Sequence, residues 1–151
     1  MPPFSDDFLN RLLSLHDAIE RAIDGLPQEA LDWSPGPDIN SIAVLVAHIT
    51  GAERYWLGDM VAHEPSNRDR PAEFQTRGVD GAALKDRVAA ASDYARYVLG
   101  SVTLEDLEEK RISPRDGREY SVAWSIAHAL EHTALHLGHI EIMRHWWEQR
   151  Q

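Results

Sequence analysis

Apolar residues recur every three to four positions along most of the chain, the period of an amphipathic helix, and strand-like alternation is sustained nowhere. Ser5, followed by Asp6 and Asp7, makes a helix start with acids in the first turn, and Phe8, Leu12, Leu15, Ile19 and Ile23 repeat until Gly25 and Pro27 stop the pattern. The stretch from Leu26 to Asn40 carries Pro27, Pro35, Gly36 and Pro37 and predicts a long connection with at most one helical turn. A second helix is expected from about Ser41 to Ala62, with Ile42, Leu45, Val46, Ile49 and Trp56 as its core stripe, before EPSNRDRP breaks the pattern. The third runs from about Asp80 to Ser101 on Leu84, Val88, Ala91, Ala95 and Val98. TLED at Thr103 has the form of a capping box, SPRDGRE reads as a tight turn, and the last helix extends from about Ser121 to near Gln149. Four long helices with two or three longer crossings, and no repeat of fixed period, predict an all-α four-helix bundle occupying residues 1–151 as one domain.

The last helix carries the most informative pattern. Five of the eight histidines fall between positions 128 and 145. Four of them, His128, His132, His136 and His139, lie at about 0°, 40°, 80° and 20° around the helix, a single stripe. Glu141 and Glu148 fall on the opposite side, at about 220° and 200°. Burying ionised glutamates costs far more than burying neutral histidines, so the stripe is expected to face inward. A lone histidine is ordinarily a core or surface residue. Four on one stripe would repel one another when protonated unless a shared cation or acceptor organises them, which makes this a candidate metal site.

Composition narrows the chemistry. The chain has no cysteine, which removes disulfides, thiolate nucleophiles, zinc fingers and iron–sulfur clusters and leaves histidine and carboxylate as ligands. A net charge of −10, from 25 acidic against 15 basic residues, repels phosphate backbones, and there is no basic stripe interleaved with aromatics, so no nucleic acid is expected as a partner. MPPFSDDF has no basic region followed by an apolar run, and IAVLVA is too short to span a bilayer; no membrane association and a cytoplasmic setting are expected.

A metal in a bundle needs ligands from more than one helix. His48 lies inside the second helix about 90° from the centre of its core stripe, sharing a side with Ser41, Val44 and Tyr55, a flank position able to face a cleft. His16 and His63 are weaker candidates, and His145 reads as surface. An i, i+4 pair brings two imidazoles onto successive turns, so His132 with His136 and His128 with His132 are both allowed; spacing does not choose between them. Three histidines would leave coordination positions open, as a catalytic metal requires.

SIAVLVAHITGAERYWLGD and WSIAHALEHTALHLGHIEIMR together resemble the DinB/YfiT-like metalloenzyme family, and with the long connections between them the resemblance covers nearly the whole chain. It implies an up-up-down-down four-helix bundle that commonly dimerises. It also implies a divalent metal held by His48, His132 and His136, with His128 and His139 as neighbours of the site. Histidine ligands suit zinc, nickel, iron and copper alike. Better-understood relatives of this kind resemble thiol-dependent enzymes, namely bacillithiol S-transferases and the metal-binding domain of mycothiol-dependent maleylpyruvate isomerase. The resemblance therefore implies a metal-dependent enzyme that activates a low-molecular-weight thiol as thiolate and acts on a small-molecule substrate. A hydrolase using metal-bound water, or a bundle that binds metal or a partner without chemistry, are the alternatives. No general base stands out: Glu53 lies about 140° from His48 and Glu131 about 100° from His132. Tyr55 is the nearest polar candidate for the pocket. Trp124, Trp146 and Trp147 crowd the last helix, where one bundle has limited room for three indoles; either Trp146 and Trp147 cover the bundle's end or some of the three lie at an interface, and the dimerisation implied by the resemblance favours a homodimer.

Overall fold

The computed structural model describes residues 1–150. Helix α1 spans Pro3–Ile23, and the first connection folds as a short helix α2, Gln28–Asp32. Helix α3, Ile42–Leu57, is capped by Ser41, whose hydroxyl accepts from the Val44 N–H, and runs on into a π-helical turn, Gly58–Ala62. A single turn of helix α4, Arg70–Glu73, follows, then α5, Gly81–Ser101, capped by Asp80, and α6, Val122–Gln149, capped by Ser121.

The four long helices form the expected bundle, with α1 and α3 each packed against both α5 and α6. Their directions differ from the up-up-down-down path that the resemblance implies. Ser5 near the start of α1 donates to the Val102 carbonyl after the end of α5, and Lys85 near the start of α5 pairs with Asp24 after the end of α1, so these two helices are antiparallel. Arg144 near the end of α6 donates to the carbonyls of Arg21, Ala22 and Asp24, so α6 runs parallel to α1. Ile42, at the start of α3, packs with Ile23 and Met143, whereas Trp56 and Leu57, at its end, pack with Leu9 and Val122. The path is therefore up-down-down-up. The physical reason is the first connection: α2 buries Ala30 and Leu31 at the end of the bundle where it starts, so the chain turns back instead of crossing. The segment between α3 and α5 makes the crossing.

A two-stranded antiparallel hairpin, β1 Lys110–Ile112 and β2 Glu119–Ser121, sits between α5 and α6 where only a turn was expected. Strands of three residues are too short to display an alternating pattern. The turn itself is where the sequence places it, closed by Ser113 N–H to Arg118 O and by Gly117 in the left-handed region at φ 70°.

The apolar core falls into two clusters, one centred on Leu9, Trp56, Val98 and Ile126 and the other on Ile19, Val46, Leu84 and Ile140. Between them lies a polar layer with one residue from each long helix: His16, Glu53, Ser92 and Thr133, all buried. His16 Nε2 is 2.9 Å from both Glu53 carboxylate oxygens, and its Nδ1 is 2.7 Å from Ser92 Oγ. Thr133 Oγ1 donates to Glu53 Oε1 at 2.5 Å.

Candidate metal centre

On α6 the core face is made by Ile126, Ala129, Thr133, Leu137 and Ile140. It lies between the histidine stripe and Glu141, roughly a quarter turn from each. The expectation that the histidines face inward is corrected accordingly: His128, His132 and His136 are half-buried at the flank and His139 is exposed. The core face is masked in the sequence because small and polar residues, Ser125, Ala129 and Thr133, supply much of it.

That flank faces α3, and there His48, His132 and His136 meet. One ligand nitrogen from each lies within 4.8 Å of the others, so the three can hold a metal ion. His48 Nε2 and His132 Nε2 are 3.0 Å apart. Two nitrogens bound at roughly 2.0–2.1 Å to one tetrahedral zinc lie about 3.3 Å apart, so the observed spacing suits a shared cation nearly as it stands. His136 engages His139 through Nδ1, at 3.1 Å from His139 Nδ1, leaving its Nε2 free for the cluster. His132 Nδ1 is buried with no hydrogen-bond partner among the described residues. A buried orphan of this kind is uncommon in a settled core and fits a ring oriented by a ligand at its other nitrogen.

Burial, reinforced by the neighbouring imidazoles of His136, His48 and His128 and by Arg68, holds His132 down to about 3 from 6.5. Burial, with His48 and His139, holds His136 down to about 4. Both rings therefore present lone pairs at neutral pH, the form that binds metals. Burial likewise lowers His128, against the opposing pull of Glu131.

His48 is fixed from behind. Its Nδ1 lies 2.9 Å from Glu73 Oε2, and Glu73 is gripped by Arg68 through Nε at 2.6 Å and Nη2 at 2.8 Å. With Nδ1–H donating to the carboxylate, Nε2 is left as the acceptor aimed at the cluster, the arrangement that orients metal-ligating histidines in general. Burial pushes the Glu73 carboxyl up, but the hydrogen bonds from Arg68 and His48 outweigh it and hold the group below its ordinary value. The approach depends on Gly51: a Cβ there would lie 2.1 Å from Glu73 Oε1. Phe74, from the same turn, packs its ring 5.0 Å from that of His48.

Glu73 and Arg68 were missed in the sequence because the segment between α3 and α5 reads as a pattern break. The signal was Asp69 followed by Pro71, a helix start, which places Glu73 on a helical turn; Asp69 does accept from the Ala72 N–H.

His128 stacks on Trp124 with ring centroids 4.7 Å apart and rests edge-on against Trp56, outside the three-nitrogen cluster. Tyr55 is buried and its hydroxyl is 2.7 Å from Ser113 Oγ, facing the hairpin turn. His16 belongs to the polar layer, and His63 and His145 are exposed. Glu53 is occupied by His16 and Thr133, and the exposed Glu131 lies 3.7 Å from His128. Trp146 and Trp124 are 43% and 42% exposed, while Trp147 is covered at the bundle end by Trp33 and Arg150. Among the described residues, no helix is long and apolar enough to cross a membrane.

The mycothiol S-transferase family model matches residues 7–149, and the chain belongs to that family. Among solved structures, the chain is similar to a conserved protein from Enterococcus faecalis at 15% identity and TM-score 0.77, covering 93% of this chain and 94% of that one. It is also similar to a DinB-like protein from Bacillus subtilis at 16% identity and TM-score 0.73, covering 96% and 94% respectively. At such identities the likeness extends to the fold, a DinB-like bundle. No curated protein matches the chain.

Proposed function

We propose that this protein is a metal-dependent thiol S-transferase in which His48, His132 and His136 hold a divalent ion such as zinc, nickel or iron. The observation that carries this reading is the convergence of three imidazole nitrogens within 4.8 Å, two of them on rings held neutral, in a chain that belongs to a thiol-transferase family. A bound divalent ion supplies a Lewis-acidic position at which a low-molecular-weight thiol sheds its proton. With three protein ligands, room is left for such a thiol.

The residues of the chain do the positioning. Glu73, gripped by Arg68, fixes the orientation of His48, and Gly51 admits it. An apolar cavity of 270 Å³, walled by Leu45, Ile142, Met143 and Trp146 and bordered by His136 and His139, suits the carbon skeleton of an electrophile. Of the neighbouring carboxylates, Glu73 is engaged by Arg68 and Glu53 by His16, while the exposed Asp38 lines the cavity beside His136 and His139. Thiol transfer is preferred to hydrolysis because the chain belongs to a thiol-transferase family. The exposed apolar residues Trp124, Leu135, Ile142 and Trp146, all on α6, favour a homodimer through this face; sedimentation showing a 17 kDa species at all concentrations would overturn that part.

The central test is metal analysis of the purified protein followed by a screen of thiols with electrophiles. One equivalent of divalent metal and thiol consumption that stops on chelation are expected. A protein that takes up no metal, or whose thiol transfer is indifferent to chelation, would overturn the reading.

A further inference from the structure

Arg68 has two sides. One grips Glu73 behind His48; the other lines a cleft of 360 Å³ that also takes in Tyr55, Arg70 and Arg115. The walls of this cleft are stiff. Pro65 and Pro71 form one side and Pro114 the other, and proline has little backbone freedom to lose on binding. The first wall is further fixed by Arg54, which donates to the carbonyls of Glu64 and Pro65, and by the Ser66 N–H bonded to Asp59. Asn67, in the same wall, is held in the left-handed region at φ 50°, an uncommon state for a residue other than glycine.

The outer charges of the cleft are weakly paired. Arg70 forms no salt bridge among the described residues, its guanidinium lying over the Phe74 ring at 4.8 Å. Arg115 has only Asp116 at 3.8 Å and otherwise hangs over the rings of Tyr55 and Trp56 at 5.8 and 5.9 Å. The one acid in the lining, Asp59, is engaged by the Ser66 amide. Both arginines rest on aromatic rings that contact site histidines: Phe74 packs on His48 and Trp56 on His128.

We propose that this cleft is an anion subsite in which Arg70 and Arg115 bind a carboxylate carried by one of the two reactants at the neighbouring metal centre. The planar guanidinium fork matches a carboxylate in two-point contact; Arg70 has no salt bridge to break on binding, and Arg115 only the long, exposed contact with Asp116. The inference rests on the thiol-transfer reading only for what the carboxylate is attached to; the cleft itself can be tested without turnover.

Binding of succinate, dimethyl succinate and inorganic phosphate is to be measured by calorimetry at fixed ionic strength, on the wild type, the Arg70→Ala/Arg115→Ala variant and His132→Ala. Succinate should bind the wild type, the ester should not, and the double variant should weaken succinate roughly tenfold or more. His132→Ala should change it by less than about threefold, since the fold-change of interest belongs to the arginines and not to the ion. Far-ultraviolet circular dichroism of the double variant checks that the helices persist; if they do not, Arg115→Gln alone, in an exposed turn, replaces it in the comparison. Succinate binding unaffected by loss of the arginines, or abolished by His132→Ala alone, would overturn the proposal, as would phosphate binding without succinate binding. The source of the carboxylate is then read from KM: in the double variant it should rise for a carboxylated thiol relative to its amide, or for a carboxylated electrophile relative to its ester, and a rise for neither overturns the assignment to a reactant. Failure of the metal reading leaves the succinate result standing.

Discussion

The protein contains two clusters that pair histidine with glutamate, and they are built to opposite ends. In the core layer, His16 uses both ring nitrogens, on Glu53 and Ser92, and Glu53 takes a further bond from Thr133. Nothing is left for a ligand. At the α3–α6 flank, Glu73 takes only one nitrogen of His48, and the other is turned toward His132, whose own Nδ1 has no partner among the described residues. The same two side-chain types thus serve as a tie between helices in one place and as an open set of lone pairs in the other. What differs is whether a second polar residue closes the ring, because a buried histidine keeps free only the nitrogen its neighbours leave unsatisfied.

The largest expected effect comes from breaking the closed cluster. His16→Ala strands the Glu53 carboxylate in the core with Thr133 alone, and loss of one partner of such a buried pair costs about 3–5 kcal/mol, read by urea denaturation. Replacing both His16 and Glu53 with leucine should cost less than His16→Ala, because no unpaired charge remains. A loss below about 1 kcal/mol for His16→Ala would mean that the layer does not tie the four helices together.

His132→Ala inverts the pattern. It removes a half-buried ring with an orphaned nitrogen, so the metal-free protein should change by no more than about 1 kcal/mol, while stoichiometric metal is lost. Full metal retention in this variant would instead point to His128 or His139 as ligands. The two single changes therefore separate stability from binding.

Acid sharpens the contrast. His132 and His136 sit at about 3 and about 4 in the folded metal-free protein against 6.5 when unfolded. Between those values the unfolded chain takes up protons that the folded one does not, so folding stability from these groups is present above about pH 6.5 and is lost as pH falls through about 4 for His136 and about 3 for His132. Thermal scans of the metal-free protein should show the melting temperature dropping between pH 7 and pH 5, and His132→Ala/His136→Ala should flatten that slope. An unchanged slope would place the acid sensitivity elsewhere. Because the two rings resist protonation, metal occupancy should persist below pH 6.5, lower than free imidazoles allow.

The two clusters were also unequally legible in the sequence. The helices were readable because Leu12, Ile19, Leu84 and Val98 keep a 3.6-residue period through to the core. The crowding of histidines at 128–139 was readable for the same reason. The orientation of that stripe was not, since α6 buries Ser125, Ala129 and Thr133, which carry little apolar contrast, and leaves Trp124, Leu135, Ile142 and Trp146 outside. Residues that act across the fold were invisible to periodicity. Glu73 meets His48 across 25 positions, and His16 meets Ser92 across 76. Helix direction was hidden for a related reason: whether a connection crosses the bundle depends on where Leu31 finds a core, and local pattern does not carry that.

The smallest expected effect on metal binding, and the sharpest test of how the open cluster is held, is Gly51→Ala. Alanine inside a helix is favoured over glycine by about 0.8–1.0 kcal/mol, which works toward a more stable α3. Its Cβ would stand 2.1 Å from Glu73 Oε1, so the carboxylate must move off the helix and release His48 Nδ1. Losing a charge-assisted bond of this kind costs about 1.5–3 kcal/mol, which leaves the net change in stability near 1–2 kcal/mol. Metal affinity should fall by roughly 10- to 100-fold, because His48 loses the group that fixes its tautomer and ring plane. Glu73→Gln should give a similar fall without the steric cause, since an amide oxygen still accepts but carries no charge. Normal metal affinity in Gly51→Ala alongside a weakened Glu73→Gln would show that the carboxylate can reach His48 by another rotamer. Normal affinity in both would mean that His48 is held by its own helix alone.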